Sequence, residues 1–192
     1  MTTTVYNTAS SLDGFIATPE HSLEWLLHRD LDPEGPGNHT TFMARVGATL
    51  MGASTYTWVA RHAGDDPWAY DVPTWVLTHR AAELEAARPA GWAGADIRFV
   101  AADDDAAVRA LHAEAAAVAG DRDVWVVGGG ELAARLADVG LLDEVVVAYA
   151  PVVLGAGAPL LPRHLELALR GVERNADFVV TTHDVVRGGW TG

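Results

Sequence analysis

Short apolar runs rich in β-branched and aromatic residues alternate along this chain with segments that carry a helical repeat. Each run is bounded by Gly, Pro, Asp or Asn, a pattern typical of strands. The predicted strands are residues 3–9, 49–51, 74–78, 97–101, 123–127, 144–150 and 178–186. Because strands that alternate with helices pack as layers, the pattern predicts an α/β architecture with a largely parallel sheet.

Two of these runs indicate where the sheet has its middle and its edge. Residues 124–127, Val-Trp-Val-Val, are apolar on both faces, as expected of a central strand covered by helices on both sides. Between 144–150 and 178–186 the sequence has a Pro/Gly-rich loop and no clear helical repeat. Strands without a crossover helix pair antiparallel, so we expect an antiparallel edge there.

Four segments carry helical signals. The clearest begins at Asp103–Asp105, repeats apolar residues at Val108, Leu111, Ala115 and Val118, and ends at Gly120. The others are a helix from Asn38 through Val46 with Phe42 and Val46 inward, a short helix from near Ser54 with Tyr56 or Trp58 inward, and a helix after Gly130 striped by Leu132, Leu136 and Val139.

Composition limits the classes of protein and partner. The 192 residues fit one domain, and the absence of Cys excludes disulfides and thiolate metal sites. All 13 basic residues are Arg, and 26 acidic residues give a net charge of −13, which disfavours nucleic acid and anionic lipid as partners. No apolar stretch is long enough for a membrane span or resembles a signal peptide, so we expect a soluble cytoplasmic protein. The eight His residues show no metal-binding spacing, and no metal site is expected.

The sharpest local motif is Gly128-Gly129-Gly130, which lies between a buried strand and a helix that starts with Glu131 and Leu132. Residues without Cβ let another molecule approach the backbone, and a helix start offers free N–H groups to a phosphate. The motif therefore predicts a pyrophosphate-binding turn at the end of a central strand. The alternative is a tight turn without a ligand, since neither GxGxxG nor GxxxxGK[ST] is present.

Two further strand ends carry groups suited to an anion. Gly52, Ser54 and Thr55 repeat the order of strand, glycine and helix start, although Ser54 can also be an ordinary N-cap. Thr78, His79 and Arg80 follow another strand and supply a hydroxyl, an imidazole and a guanidinium. Ligands of open α/β sheets bind at such strand ends, which favours a shared ligand site.

These segments, in this order, resemble the dihydrofolate-reductase-like proteins, and most nearly the C-terminal reductase domain of the bifunctional riboflavin-biosynthesis deaminase-reductase. The resemblance spans roughly residues 3–162. It is carried by Ala9-Ser10-Ser11-Leu12-Asp13-Gly14-Phe15-Ile16-Ala17, Met51-Gly52 with Thr55-Tyr56, Val76-Leu77-Thr78, Gly128 to Leu132, Gly140-Leu141-Leu142-Asp143-Glu144 and Pro151 to Gly157.

The resemblance implies a three-layer α/β/α fold with a mixed, mostly parallel sheet of about eight strands and an antiparallel edge. It also implies NADPH as cofactor, lying across the strand ends. By resemblance, the nicotinamide is lined by Ala9, Ile16 and Ala17. One part of the pyrophosphate is bound by Gly52, Ser54 and Thr55, and the other part by Gly128, Gly129, Gly130, Glu131 and Leu132. The adenosine ribose and its 2′-phosphate lie at Thr78, His79 and Arg80.

The chain departs from the family pattern at two places. Ala53 stands where members often carry a basic residue for the 2′-phosphate, so NADH is an alternative cofactor. Residues 66–69 do not reproduce the Asp-x-Pro-x-Leu-Thr-x-Arg segment of the riboflavin-pathway reductases, which leaves the substrate open. By resemblance, Asp30 stands at about the place of the acid that orients pterin in true dihydrofolate reductases, which makes it the candidate proton donor, with a solvated loop carboxylate as the alternative. Trp25 either borders the substrate or packs in the core.

The sequence thus predicts a single-domain, nicotinamide-dependent reductase that transfers hydride to a small heterocyclic or carbonyl substrate. A second hypothesis is a non-catalytic nucleotide-binding or regulatory protein that has kept the cofactor-binding turns and lost the catalytic acid. A nicotinamide pocket plugged by side chains such as Phe15 or Trp25 would favour it. A third is a homodimer that associates through exposed apolar loops around residues 152–161.

Overall fold

The computed structural model describes residues 2–187. Its strands are β1 (Thr4–Ser10), β2 (Phe15–Ala17), β3 (Val46–Gly52), β4 (Thr74–Leu77), β5 (Ile97–Val100), β6 (Asp123–Gly128), β7 (Glu144–Tyr149), β8 (Ala158–Pro159), β9 (Leu167–Asn175) and β10 (Phe178–Val185). Its α-helices are α1 (Glu24–Leu27), α2 (His39–Ala44), α3 (Ala53–His62), α4 (Ala81–Ala86), α5 (Asp105–Ala119) and α6 (Gly130–Asp138), with a 3₁₀ turn at Ala90–Trp92.

Eight strands form one mixed sheet in the order β5-β4-β3-β6-β1-β7-β10-β9. The strands from β5 to β7 are parallel, whereas β10 pairs antiparallel with both β7 and β9. The expected fold class, including the antiparallel edge, is confirmed. Strand β6 is fourth in the order, as its uniformly apolar sequence predicts.

Helices cover both faces of the sheet because alternate residues of each central strand point to opposite sides. On one face Leu50, Val124 and Val126 pack in a cluster with apolar residues of α5 and α6. On the other face Met51 packs in a cluster that includes residues of α3 and α4, and Trp125 packs against Phe42 of α2. The result is three layers, α/β/α.

Parallel pairing brings the carboxyl ends of β1, β3 and β6 to the same edge of the sheet. Strands β3 and β6 continue directly into α3 and α6, so two helices begin side by side at that edge. The small two-stranded sheet of β2 and β8 is antiparallel. Its residues line the cavity that opens at this edge.

The boundaries differ from prediction in two informative places. The helix predicted from Asn38 through Val46 ends at Ala44, and Val46 begins β3 as a fully buried residue. Asn38 does cap that helix, since its side chain accepts from the N–H of Thr41 at 2.8 Å. Val46 and Phe42 pack in the same core cluster although they belong to different elements. Their spacing of four residues therefore resembled one helical face and led to the wrong helix end.

Candidate functional site

A cavity of about 360 Å³ lies at the carboxyl ends of β1 and β6, beside the start of α3. Its polar side consists of the first residues of α3 and α6. Its apolar side consists of the β2–β8 sheet and the loops next to it. The lining residues are Thr8, Ile16, Ala17, His21, Leu23, Ser54, Thr55, Trp58, Val127, Gly128, Gly129, Gly130, Glu131, Ala158, Pro159 and Pro162.

Both helices that begin at the cavity lack a side-chain cap. Gly52 is the N-cap residue of α3 and Gly129 that of α6, and neither can offer a side-chain acceptor. In contrast, the Asp104 side chain caps the long helix α5 by accepting from the N–H of Ala107. The first N–H groups of a helix have no intrahelical partner, and a ligand can satisfy them. Two uncapped starts side by side are therefore suited to bind an anion.

The three consecutive glycines do different things. Gly129 has φ +98°, a left-handed conformation that favours glycine, and a Cβ there would approach protein atoms no closer than 3.8 Å. A Cβ on Gly128 would lie 2.6 Å from Oγ1 of Thr55, and one on Gly130 would overlap the carbonyl oxygens of Pro159 and Leu160. All three line the cavity, and Gly128 and Gly130 in addition permit the chain's own elements to pack closely.

The other helix start is open. A Cβ on Gly52 would meet no heavy atom within 4 Å, in spite of the tight packing at its neighbours in the sheet. Ser54 and Thr55, the second and third residues of α3, line the cavity. The space at Gly52 is thus available to a bound molecule.

Asp13 fixes the apolar side of the cavity. Its carboxylate accepts from the Ser11 hydroxyl at 2.7 Å and from the backbone N–H groups of Leu154 and Gly155 at 3.1 and 2.7 Å. These hydrogen bonds, first of all that of Ser11, lower the pKa of Asp13 to about 2. The turn before β2 is thereby joined to the loop before β8. Asp13 is the structural turn residue that the Asp-Gly pair predicts.

The predicted cofactor-binding residues divide into three groups. Ile16, Ala17, Ser54, Thr55, Gly128, Gly129, Gly130 and Glu131 line the cavity. Ala9 and Gly52 are strand residues close by, and Leu132 is buried in the core. Thr78, His79 and Arg80 lie at the end of β4, outside the cavity lining. There His79 pairs with Asp103 at 3.0 Å and Arg80 with Glu83 at 3.1 Å.

The structure does not bring Asp30 or Trp25 into the cavity lining. Asp30 is exposed, and its backbone N–H and C=O bond to the side chain and backbone of Asp177 beside β10. The expectation of a cavity proton donor at Asp30 is therefore not supported. Trp25 packs against the apolar cluster of Ala150, Phe178 and Val180, in agreement with its core alternative.

The sequence did not predict several of the lining residues, and the ones used in the proposals below are His21, Leu23 and Trp58. His21 has φ +60°, a conformation uncommon outside glycine, and its N–H donates to the Thr18 carbonyl at 2.9 Å. Trp58 stacks on His62 with ring centroids 4.1 Å apart. His21 and Leu23 come from a loop, where no periodicity marks them, and Trp58 comes from a half-buried position of α3.

The cavity carries few charged side chains. Glu131 is ion-paired with Arg163, which also bonds Asp138 at 3.0 Å. Apart from Glu131, His21 is the only ionisable lining side chain among the described residues. Binding of an anion here thus depends on backbone N–H groups and hydroxyls.

Among residues 2–187, no cluster of His, Asp or Glu is arranged to hold a metal ion. In the same part of the chain, no helix combines the length and apolarity needed to cross a bilayer.

The exposed apolar loop predicted at 152–161 is present only in part. Val153 is 66% exposed, whereas Leu160 and Leu161 pack against the main core.

Comparison with known proteins shows one consistent family. Residues 2–180 match the family model described as the RibD C-terminal domain. YwjB of Bacillus subtilis strain 168 is 29% identical over 174 residues, which cover 89% of this chain and 91% of that protein. A structure from Shewanella sp. PV-4, whose description places it provisionally in riboflavin biosynthesis, has a TM-score of 0.75 and 27% identity over 97% of this chain and 100% of its own.

A more distant structure shows the same fold. It is the Thermotoga maritima diaminohydroxyphosphoribosylaminopyrimidine deaminase/5-amino-6-(5-phosphoribosylamino)uracil reductase, with a TM-score of 0.60 and 15% identity. The match covers 96% of this chain and 57% of that longer one.

Proposed function

The chain belongs to the RibD C-terminal domain family, and from this premise we propose that it is a reductase that binds NADPH in the cavity. The acceptor is a small heterocyclic or carbonyl compound. The observation that carries the proposal is the pair of uncapped helix starts, α3 and α6, at one edge of the sheet. NADPH is the coenzyme of reductases in this family.

The residues present fit a dinucleotide. Ser54 and Thr55 at one helix start, and Gly129 to Glu131 at the other, would hold the diphosphate through N–H and hydroxyl groups. Ile16 and Ala17 would contact the nicotinamide on the apolar side. Thr78, His79 and Arg80 would lie towards the adenosine end. Because Ala53 is not basic and Arg80 is paired with Glu83, NADH remains the alternative coenzyme.

The chain's own residues would orient the reactants and supply a proton. When bound, NADPH supplies a hydride to carbon, and the acceptor's oxygen or nitrogen takes a proton. Imidazole is the side chain that most often serves as a general acid, and His21 is the one imidazole among the described residues that line the cavity. We therefore place the proton with His21 rather than Asp30. The apolar lining would keep water away from the acceptor.

A nicotinamide pocket plugged by Phe15 or Trp25 would favour the alternative of a non-catalytic nucleotide-binding protein. Neither Phe15 nor Trp25 is among the residues that line the cavity. The open space at this position favours the reductase.

Titration of the protein with NADPH tests the proposal. Trp58 lines the cavity, so bound NADPH should quench tryptophan emission and gain fluorescence by energy transfer, with saturation below millimolar concentration. Gly52→Val places a side chain in the open space at α3 and should weaken binding. Gly171→Val is the matched control, because Gly171 also has nothing within 4 Å and lies on β9. Absence of saturable binding up to millimolar NADPH would reject the proposal.

A further inference from the structure

The apolar end of the cavity is the place where an acceptor would meet the reactive part of a bound dinucleotide. Ile16, Leu23, Ala158 and Pro159 form much of its wall. Trp58 adds an indole that is only half-buried and already stacks on one side with His62. A flat molecule gains most from such a surface, because aromatic rings stack and apolar area leaves water.

No Arg or Lys side chain lines this end, and His21, which we have placed as the proton donor, is the one lining side chain among the described residues that can carry a positive charge. The sequence has no Lys, and all 13 Arg residues fall within the described residues 2–187. None of them is among the residues that line the cavity. Arg163, close in sequence to the lining residue Pro162, is already paired with Glu131 and Asp138.

The backbone N–H groups that can bind an anion would already be used by the diphosphate of the coenzyme. The two helix starts suit one diphosphate, and they lie on the polar side of the cavity. A second phosphate at the apolar end would lose its water without gaining an Arg or Lys partner or a second set of N–H donors. Burial of an unpaired charge is strongly unfavourable.

We infer that the acceptor is an uncharged, flat carbonyl or heteroaromatic compound without a phosphate group, held against Trp58 and Leu23. The inference rests on the proposed function and narrows its substrate class. It sets this chain apart from a reductase whose substrate carries a ribosyl phosphate. The absence of the Asp-x-Pro-x-Leu-Thr-x-Arg segment at residues 66–69 is in line with it.

The test compares matched compounds that differ by one phosphate, with the full chain saturated with NADPH. The pairs are 3-hydroxybenzaldehyde with 3-formylphenyl phosphate, and riboflavin with FMN. For each compound, calorimetry measures binding and NADPH absorbance measures turnover. We expect the uncharged member of at least one pair to bind about tenfold or more tightly than its phosphate, and no pair to favour the phosphate.

Two variants at one position make the test specific. Trp58→Arg puts a guanidinium at the apolar end and should shift preference towards the phosphorylated member of each pair. Trp58→Leu keeps the wall apolar and should retain the preference for the uncharged member while weakening both. Calorimetry with NADPH alone, done first on each variant, separates a damaged coenzyme site from an altered acceptor site.

The outcomes are distinguishable. If NADPH does not bind, the proposed function fails. If NADPH binds and the phosphorylated members bind as well as or better than the uncharged ones, the inference fails and the reductase stands. If NADPH binds and no uncharged member binds or reacts, the inference is likewise overturned.

Discussion

The carboxylate of Asp13 accepts a hydrogen bond from the backbone N–H of Gly155, 2.7 Å away and 142 positions along the chain. This contact and the neighbouring bond to Leu154 hold the β2 and β8 segments together. Those segments form the apolar wall against which we place the nicotinamide. One exposed carboxylate therefore shapes a surface that it does not itself line.

Asp13→Ala should loosen this wall, raise the KM for NADPH and lower stability at neutral pH. The folded pKa of about 2 is below the ordinary value near 3.9, so the carboxylate stabilises the fold fully above about pH 4. That contribution should disappear as the pH falls towards 2. Urea unfolding of wild type and variant from pH 7 to pH 2 measures it. Asp121→Ala, at an exposed turn, is the control. A stability difference that does not vary with pH would contradict the assignment.

Gly130→Ala should destabilise the protein, since its Cβ would overlap the carbonyl oxygens of Pro159 and Leu160. Overpacking of this kind costs about 1–3 kcal/mol. Gly52→Ala adds the same methyl group where no heavy atom lies within 4 Å, and should change stability little while weakening NADPH binding. Thermal unfolding measures the stability of both variants, and NADPH titration measures their coenzyme binding. The assignment is wrong if the two variants are equally stable.

His21→Gln should lower kcat by at least about 10²-fold, the usual contribution of a positioned proton donor. NADPH binding should be nearly unchanged. His28→Gln is the control, because His28 is exposed and bonds the Glu24 carbonyl away from the cavity. If kcat is the same in His21→Gln as in wild type, the proton comes from another group.

Arg45→Ala should destabilise the fold by about 1–3 kcal/mol. Arg45 pairs with Asp123 and, at 3.3 Å, with Glu144, and both carboxylates are nearly buried at the starts of β6 and β7. Removal of Arg45 leaves these charges with fewer partners. Arg80→Ala breaks an exposed pair with Glu83 and should cost about 1 kcal/mol or less. Chemical denaturation of both variants measures the difference, and equal costs would refute this account of the cluster.

The sequence predicted the layers and the parallel part of the sheet because burial there follows simple periodicities. It missed β9, whose residues Arg170, Gly171, Glu173 and Arg174 interrupt any apolar alternation. An edge strand with little burial leaves no such pattern. The strands β2 and β8 were not predicted for a related reason, since strands of three and two residues are too short to show a periodicity.

The sequence predicted those parts of the candidate site that the backbone forms, namely the two helix starts at the cavity. Glycine after a buried strand marked both helix starts at the cavity, but the sequence could not tell that Gly128 and Gly130 serve internal packing while Gly52 and Gly129 face open space. That difference depends on distant loops. His21 lies in such a loop, and no local signal places it in the cavity. The cofactor roles and the homodimer stay predictions.

A crystal structure of the protein with bound NADPH tests the central claim most directly. We predict the diphosphate between the first backbone N–H groups of α3 and α6, with the nicotinamide against Ile16 and Ala17. A coenzyme bound elsewhere on the protein, or density that leaves both helix starts without an anion at saturating NADPH, would contradict it.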